Sequence, residues 1–110
     1  MNHMNAQLEE IYEALEDCVR ACNQCYDACL EEEHIDHMRE CIRTDRECAD
    51  FCTLTLKAIT TNSPFLKDML ALCAKICRAC EKECSKHDHD HCKVCAEACH
   101  TCAELCESYS

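Results

Sequence analysis

Cysteine recurs in this chain in steps of four and three residues. Cys18, Cys22, Cys25 and Cys29 form a 4-3-4 run, and Cys73, Cys77, Cys80 and Cys84 repeat it. Cys92, Cys95, Cys99, Cys102 and Cys106 come in steps of 3, 4, 3 and 4, while Cys41, Cys48 and Cys52 are spaced by seven and four. Such steps keep successive side chains on one face of an α-helix, the a/d seam of a bundle. The pattern therefore calls for helices, each carrying a ladder of thiols. Apolar residues prolong two of the ladders: Leu15, Ile11, Leu8 and Met4 ahead of the first, Leu70 and Leu66 ahead of the third.

Breaks in the pattern give four helical segments, at about 5–32, 35–60, 64–86 and 90–107. The chain has no glycine and a single proline. Tight left-handed hairpin turns and glycine-rich phosphate loops are hard to build that way, so most all-β and nucleotide-binding folds drop out. Pro64 fits the first position of the third helix, with Ser63 as its cap. Asp88 or Asp90 is expected to cap the fourth. Short connections favour antiparallel neighbours, so the expected fold is all-α, an up-down-up-down four-helix bundle occupying residues 1–110 as one domain. The halves repeat: Cys18–Cys29 matches Cys73–Cys84 at an offset of 55, and Cys41, Cys48 and Cys52 match Cys95, Cys102 and Cys106 at 54. That second offset sets Met38 opposite Cys92, Asp45 opposite Cys99 and His37 opposite His91. The molecule reads as two helical hairpins of one design.

Sixteen cysteines in 110 residues exceed the ~8–10% that marks a disulfide scaffold in a short secreted chain. The spacing argues against disulfides along each helix. Side chains at i and i+4 have Cβ atoms about 5–6 Å apart, whereas a disulfide needs about 3.5–4.5 Å. Metal fits better. Two sulfurs flanking one ion linearly stand about 4.6 Å apart, at ~2.3 Å per bond, and an i, i+4 pair reaches that without bending the backbone. The plain alternative is cysteine as a small buried hydrophobe. Thiolates select soft ions: Cu(I), zinc or iron–sulfur clusters. One Cu(I) per thiolate leaves a buried string of ions neutral. Separate zinc–tetrathiolate sites would each carry surplus negative charge inside a chain of net charge −11. The ferredoxin run of Cys-x2-Cys-x2-Cys-x3-Cys-Pro is absent around Cys22 and Cys25.

The stretches Ala21-Cys22-Asn23-Gln24-Cys25-Tyr26-Asp27-Ala28-Cys29 and Cys41 to Cys52, with the ladders of the third and fourth helices, resemble the four-helix-bundle copper storage proteins, a family labelled ferredoxin-like in older usage. The resemblance runs over nearly the whole chain. It implies a bundle filled with many Cu(I) ions, about one per cysteine, and a homotetramer. The start of the sequence shows no export signal, which makes the chain similar to the cytosolic branch, with a cytoplasmic location, where the thiols stay reduced.

The expected topology gathers His34, His37, His87, His89 and His91 at one end. His37, His87 and His91 are candidate imidazoles that receive Cu(I) and pass it to the thiolates, with solvated turn residues as the alternative; His34 and His89 read as turn residues. Met38 offers a thioether ligand or fills core. Asp45, on the seam between Cys41 and Cys48, is expected in a buried salt bridge with Arg or Lys or as an exposed carboxylate, with an approach to metal as the alternative. His3 and His100 read as surface residues. Phe65, Met69, Leu72 and Ile76, with Phe51, Leu54 and Ala58, form secondary stripes that close the copper-poor end or meet another subunit. Acidic charge without a basic cluster argues against nucleic acid, and no run spans a membrane. No nucleophile–base pair or cofactor loop suggests an enzyme. Expected partners are copper ions and a copper chaperone or copper enzyme. The rivals are a metallothionein-like zinc or cadmium scavenger and an iron–sulfur electron carrier. The metal-free chain is expected to fold already.

Overall fold

The computed structural model describes residues 3–109. Four long helices form: α1 Ala6–Leu30, α2 Arg39–Thr60, α3 Leu66–Cys84 and α4 Asp90–Glu107. α1 packs on α2 and α4, and α3 packs on the same two, leaving α1 and α3 diagonal across the core. The loops after α1 and after α3 share one pocket, lined by Glu32, His34, His37, His87 and His89 among others. Neighbouring helices thus run antiparallel, giving the expected up-down-up-down bundle, a rod with extents of 50 × 19 × 18 Å.

The connections refine the boundaries. Asn5 caps α1 by accepting from the Leu8 N–H at 2.8 Å. α1 stops at Leu30, short of the expected 32, and α2 starts at Arg39 rather than 35. Ile35–Met38 is a 3-10 turn instead. There the His37 N–H reaches back three residues to the His34 carbonyl, at 3.0 Å, a tighter winding than the α-helix.

α2 ends in a Schellman motif: Asn62 N–H bonds the Ile59 carbonyl at 3.2 Å and Ser63 N–H the Ala58 carbonyl at 3.0 Å. The residue after such a helix end must turn left-handed, usually as glycine. In this glycine-free chain Asn62 takes the role, with φ 53°. Ser63 then caps the lead-in to α3. Its Oγ accepts the Phe65 N–H at 3.1 Å and its carbonyl the Leu66 N–H at 3.2 Å, although regular α geometry begins at Leu66 rather than Pro64. α3 ends at Cys84, two residues early. α4 begins at Asp90 as expected, but its cap position is held by His89 without a side-chain hydrogen bond. Neither Asp88 nor Asp90 is the cap.

The core changes character along the rod. At the end of the α2–α3 loop, Leu8, Ile11, Leu15, Ile59, Leu66 and Leu70 are buried in an apolar plug. Full burial of such side chains is worth about 1.5–3 kcal/mol each. Thr55 is buried with them and donates its hydroxyl proton to the Phe51 carbonyl at 2.8 Å. The His3 ring, half-buried rather than free on the surface, sits 2.6 Å from the Ile59 carbonyl. Of the secondary stripes only Ala58 enters the core. Leu54, Leu72 and Phe65 are exposed, Phe65 by 65%, and Leu54 and Leu72 join Tyr26, Ile42, Phe51 and Ile76 along an outer groove of α2 and α3.

Candidate metal centre

From the plug to the opposite end the core is sulfur. All sixteen thiols are free and buried. Pairs at i, i+4 stand 3.8–3.9 Å apart for Cys18–Cys22, Cys25–Cys29, Cys48–Cys52 and Cys80–Cys84. Links between helices are as close: Cys41 to Cys84 at 3.6 Å, Cys18 to Cys99 at 3.7 Å, Cys52 to Cys73 at 3.7 Å. These are thiol contacts, far longer than the ~2.05 Å of a disulfide. A linear S–metal–S unit needs about 4.6 Å, so each pair opens by about 1 Å or less to accept an ion.

The sulfurs overlap in sets of four whose members all lie within 4.8 Å of one another: Cys18/Cys48/Cys52/Cys77, Cys18/Cys22/Cys48/Cys99, Cys22/Cys80/Cys95/Cys99 and Cys52/Cys73/Cys77/Cys102. Because these sets share thiols, they cannot all hold a separate tetrahedral zinc at once. Shared sulfurs suit bridged monovalent ions. A further set, Cys25/Cys29/Cys41/Cys92, lies toward the histidine end.

Asp45 lies among the thiols and corrects the sequence expectation: it is fully buried and, among the described residues, pairs with no cation. Cys95, Cys80 and Cys84 donate to its Oδ1 at 3.3, 3.4 and 3.6 Å, and Cys41 to its Oδ2 at 3.9 Å. The chain has arginines to offer, but the seam faces inward and the side chains that meet the carboxyl there are thiols. Burial, reinforced by the negative charge of neighbouring cysteines, pushes the Asp45 carboxyl up to about 12, so it holds its proton at neutral pH.

At the open end a pocket of about 290 Å³ is lined by Glu32, Glu33, His34, His37, Met38, His87 and His89. Met38 is buried beneath it. His91, on the first turn of α4, is the imidazole that reaches the sulfurs. Its Nδ1 is 3.3 Å from Cys25 Sγ and 3.6 Å from Cys92 Sγ. Its Nε2 is 3.1 Å from Glu32 Oε2. Glu32 and Cys25 thus hold the two ring nitrogens from opposite sides; in the neutral tautomer that keeps its proton on Nε2 toward Glu32, Nδ1 is the nitrogen free to take a metal, the usual way a carboxylate orients a ligating histidine. Burial opposes charge on the His91 ring, but the bonds to Cys25 and Glu32 outweigh it and hold its pKa above the ordinary value. The same bond holds Glu32 low. Cys25 is drawn down to about 5 by hydrogen bonds from Cys41 and Cys84, with help from His91, while burial pushes Cys29 and Cys92 up. Ionisation of Cys25, beside the entrance, is thus favoured when the His91 ring donates to it from Nδ1.

The other candidates are placed differently. His87 borders the pocket with its Nε2 3.1 Å from Glu83 Oε2. His37, matched to His91 by the repeat, is 70% exposed, 3.8 Å from Asp36 and stacked on His34. It sits in the 3-10 turn before α2, whereas His91 lies inside α4, so equivalent positions in sequence point to different surroundings. His89, read as a turn residue, stacks on His91 and places Nδ1 3.0 Å from the same Glu32 oxygen. Glu32 itself carried no sequence signal: it lies in the run Glu31-Glu32-Glu33, and only the fold lays one of the three against α4. His100 lies away from this end, between Glu81 and Glu104 on the surface.

A helical rod whose interior is a thiol ladder, closed by hydrocarbon at one end and edged with imidazole and carboxylate at the other, defines a protein that gathers soft metal ions. Residues 4–110 match the profile of the copper storage proteins (Csp), and the chain belongs to that family. A Cu(I)-bound copper storage protein, BsCsp3, superposes with TM-score 0.90 at 58% identity over 93% of this chain and 96% of its own. A cytosolic copper storage protein from Streptomyces lividans, bearing five coppers, gives 0.89 at 38% identity over 92% and 89%. The cysteine-rich protein YhjQ of Bacillus subtilis (strain 168), itself uncharacterized, is 57% identical over 83% of this chain and 84% of its own length.

Proposed function

We propose that the chain is a Cu(I) reservoir, filled through the histidine end and holding about one ion per cysteine. The observation that carries this reading is the overlap of the four-thiol sets, which lets neighbouring ions share sulfur and keeps the loaded core close to neutral. Copper enters by exchange: each Cu(I) takes the place of one thiol proton, without change of oxidation state. Cys25, with its pKa at about 5, supplies the first thiolate, His91 Nδ1 the first nitrogen, and Met38 a soft contact beneath the pocket. Acidic residues around the opening draw in cations. The plug leaves the far end without ligands, so ions leave by the way they came. His37 and His87 act as outer stations. The role is storage rather than catalysis, in the cytoplasm. A copper chaperone or copper enzyme is the donor or recipient. The apolar groove of α2 and α3 is the surface on which copies meet in a homotetramer.

The deciding experiment is an anaerobic titration of the reduced, metal-free full chain with Cu(I) against a chromogenic Cu(I) chelator. About sixteen ions per chain are expected. Roughly four tightly held zinc ions, with copper bound no more strongly than the chelator binds it, would overturn the reading in favour of a zinc scavenger. Iron and sulfide in freshly purified protein would point to the iron–sulfur carrier.

A further inference from the structure

Far from the histidine mouth, the sulfur ladder approaches the surface at a second place. Fifteen of the sixteen thiols are fully buried, whereas Cys106, on the last turn of α4, is 3% exposed. It lines a side pocket of about 330 Å³ between α3 and α4. Ala71 and Ala74 of α3 line the same pocket and leave it open, since each side chain is a single methyl group. Cys52, the repeat counterpart of Cys106 at an offset of 54, is closed in by Cys73 and Cys77 at 3.7 Å and Cys48 at 3.9 Å. The sulfur neighbours of Cys106 are Cys73 and Cys102. Toward the plug the seams carry Leu70, Leu15 and Ile59 in place of thiols. An ion held by Cys106 therefore has sulfur on one side and the pocket on the other.

Charge around the pocket sets what can dock there. Lys67 and Lys75 line it. They stand eight residues apart on α3, about 12 Å along the axis at ~1.5 Å per residue, with Ala71 between them on the same face. Among the described residues Lys86 pairs with Glu83, whereas neither Lys67 nor Lys75 has an ion-pair partner. The carboxylate in the lining, Glu107, is already held by Arg78 through two bonds, Nε to Oε2 at 3.0 Å and Nη2 to Oε1 at 2.8 Å. The pocket thus presents unpaired positive charge on a chain of net charge −11, while the mouth is edged with Glu32 and Glu33. A small anion is drawn to this flank and turned away from the mouth. The thiol in the lining adds a second demand, because a Cu(I) at Cys106 takes sulfur in preference to oxygen as a further ligand. Resting on the storage reading, we propose that the α3–α4 pocket binds a small anionic thiol, whose carboxylates meet Lys67 and Lys75 and whose sulfur completes the coordination of the Cu(I) held by Cys106. The incoming thiol gives its proton to solvent and binds the ion without change of oxidation state. The last rung of the ladder therefore fills in step with the supply of such a thiol.

The test uses the full chain, loaded anaerobically with Cu(I), freed of unbound metal and dialysed to equilibrium against radiolabelled reduced glutathione, a peptide thiol with two carboxylates. Copper is measured on the same samples. About one glutathione per loaded chain is expected to be retained, with copper content unchanged. The double variant Lys67→Gln, Lys75→Gln alters two exposed positions; it is expected to weaken retention about tenfold and to leave copper content and the circular dichroism spectrum as they were. S-methylglutathione keeps the carboxylates but loses the ligating thiol, and cysteamine keeps the thiol but is a cation; each is expected to be held at least about tenfold more weakly than glutathione. No retention by a copper-loaded chain, unaltered retention by the double variant, or S-methylglutathione or cysteamine held as well as glutathione would each overturn the thiol site and leave the storage reading standing. A chain that takes up no Cu(I) would overturn the storage reading, and the thiol site with it.

Discussion

The two ends of the rod are made from the same helical seams but do opposite work. At the plug, Ile11, Leu15, Ile59 and Leu70 are buried against one another and supply stability without chemistry. At the mouth, His91, Glu32 and Cys25 form a hydrogen-bonded chain from surface to core and supply chemistry with little apolar burial. The contrast teaches that a store of this kind separates what holds the bundle together from what handles the ion. The thiols between the two ends do both, since all sixteen are buried core as well as candidate ligands.

The sharpest way to break the contrast is at the plug. Ile59→Ala is expected to destabilise the metal-free bundle by about 2–5 kcal/mol through the cavity it leaves, measured by urea unfolding. Copper capacity in the titration should stay the same. A large loss of capacity would show that the plug also shapes the metal sites.

Asp45 gives the next effect, with a definite sign in pH. Its pKa is raised in the folded state, so the stability it contributes is complete below its unfolded value near 4 and drains away as pH rises toward about 12. Asp45→Asn removes that drain. At pH 7 it is expected to stabilise the metal-free protein by up to about 4 kcal/mol, roughly three pH units at about 1.36 kcal/mol each, with the gain vanishing near pH 3. Thermal melts at the two pH values check this.

At the mouth the expected effects are kinetic. His91→Ala should slow Cu(I) uptake about tenfold, equivalent to ~1.4 kcal/mol of barrier, and change capacity by no more than one ion; stopped-flow mixing with a weak Cu(I) complex reads the rate. The smallest effect is that of Glu32→Gln. Glu32 helps to hold the His91 pKa up, and protonated His91 cannot receive copper. The natural protein's uptake should therefore fail as pH drops through a midpoint above the ordinary histidine value. The variant should shift that midpoint downward, with only a few-fold change in rate at pH 8.

Much of this was legible in the residues. Steps of three and four put Cys18 to Cys29 and Cys73 to Cys84 on buried faces, and the apolar extension through Leu15, Ile11 and Leu8 marked the plug. The break at Ser63-Pro64 was legible too, because capping is local chemistry. The 3-10 turn at Ile35–Met38 was not, since a short polar connection has no period to read. Nor was the pairing of Glu32 with His89 and His91, which lie in the other half of the chain.

Periodicity alone determined that this chain would be helical, that its thiols would face inward and that they would outnumber any single metal site, because the faces of a helix derive from spacing along one segment. Which histidine meets sulfur, which glutamate orients it, and that Asp45 rests among four thiols instead of beside an arginine were decided only by tertiary packing. Those contacts join residues from different helices, and their distances depend on how the rods are set against one another.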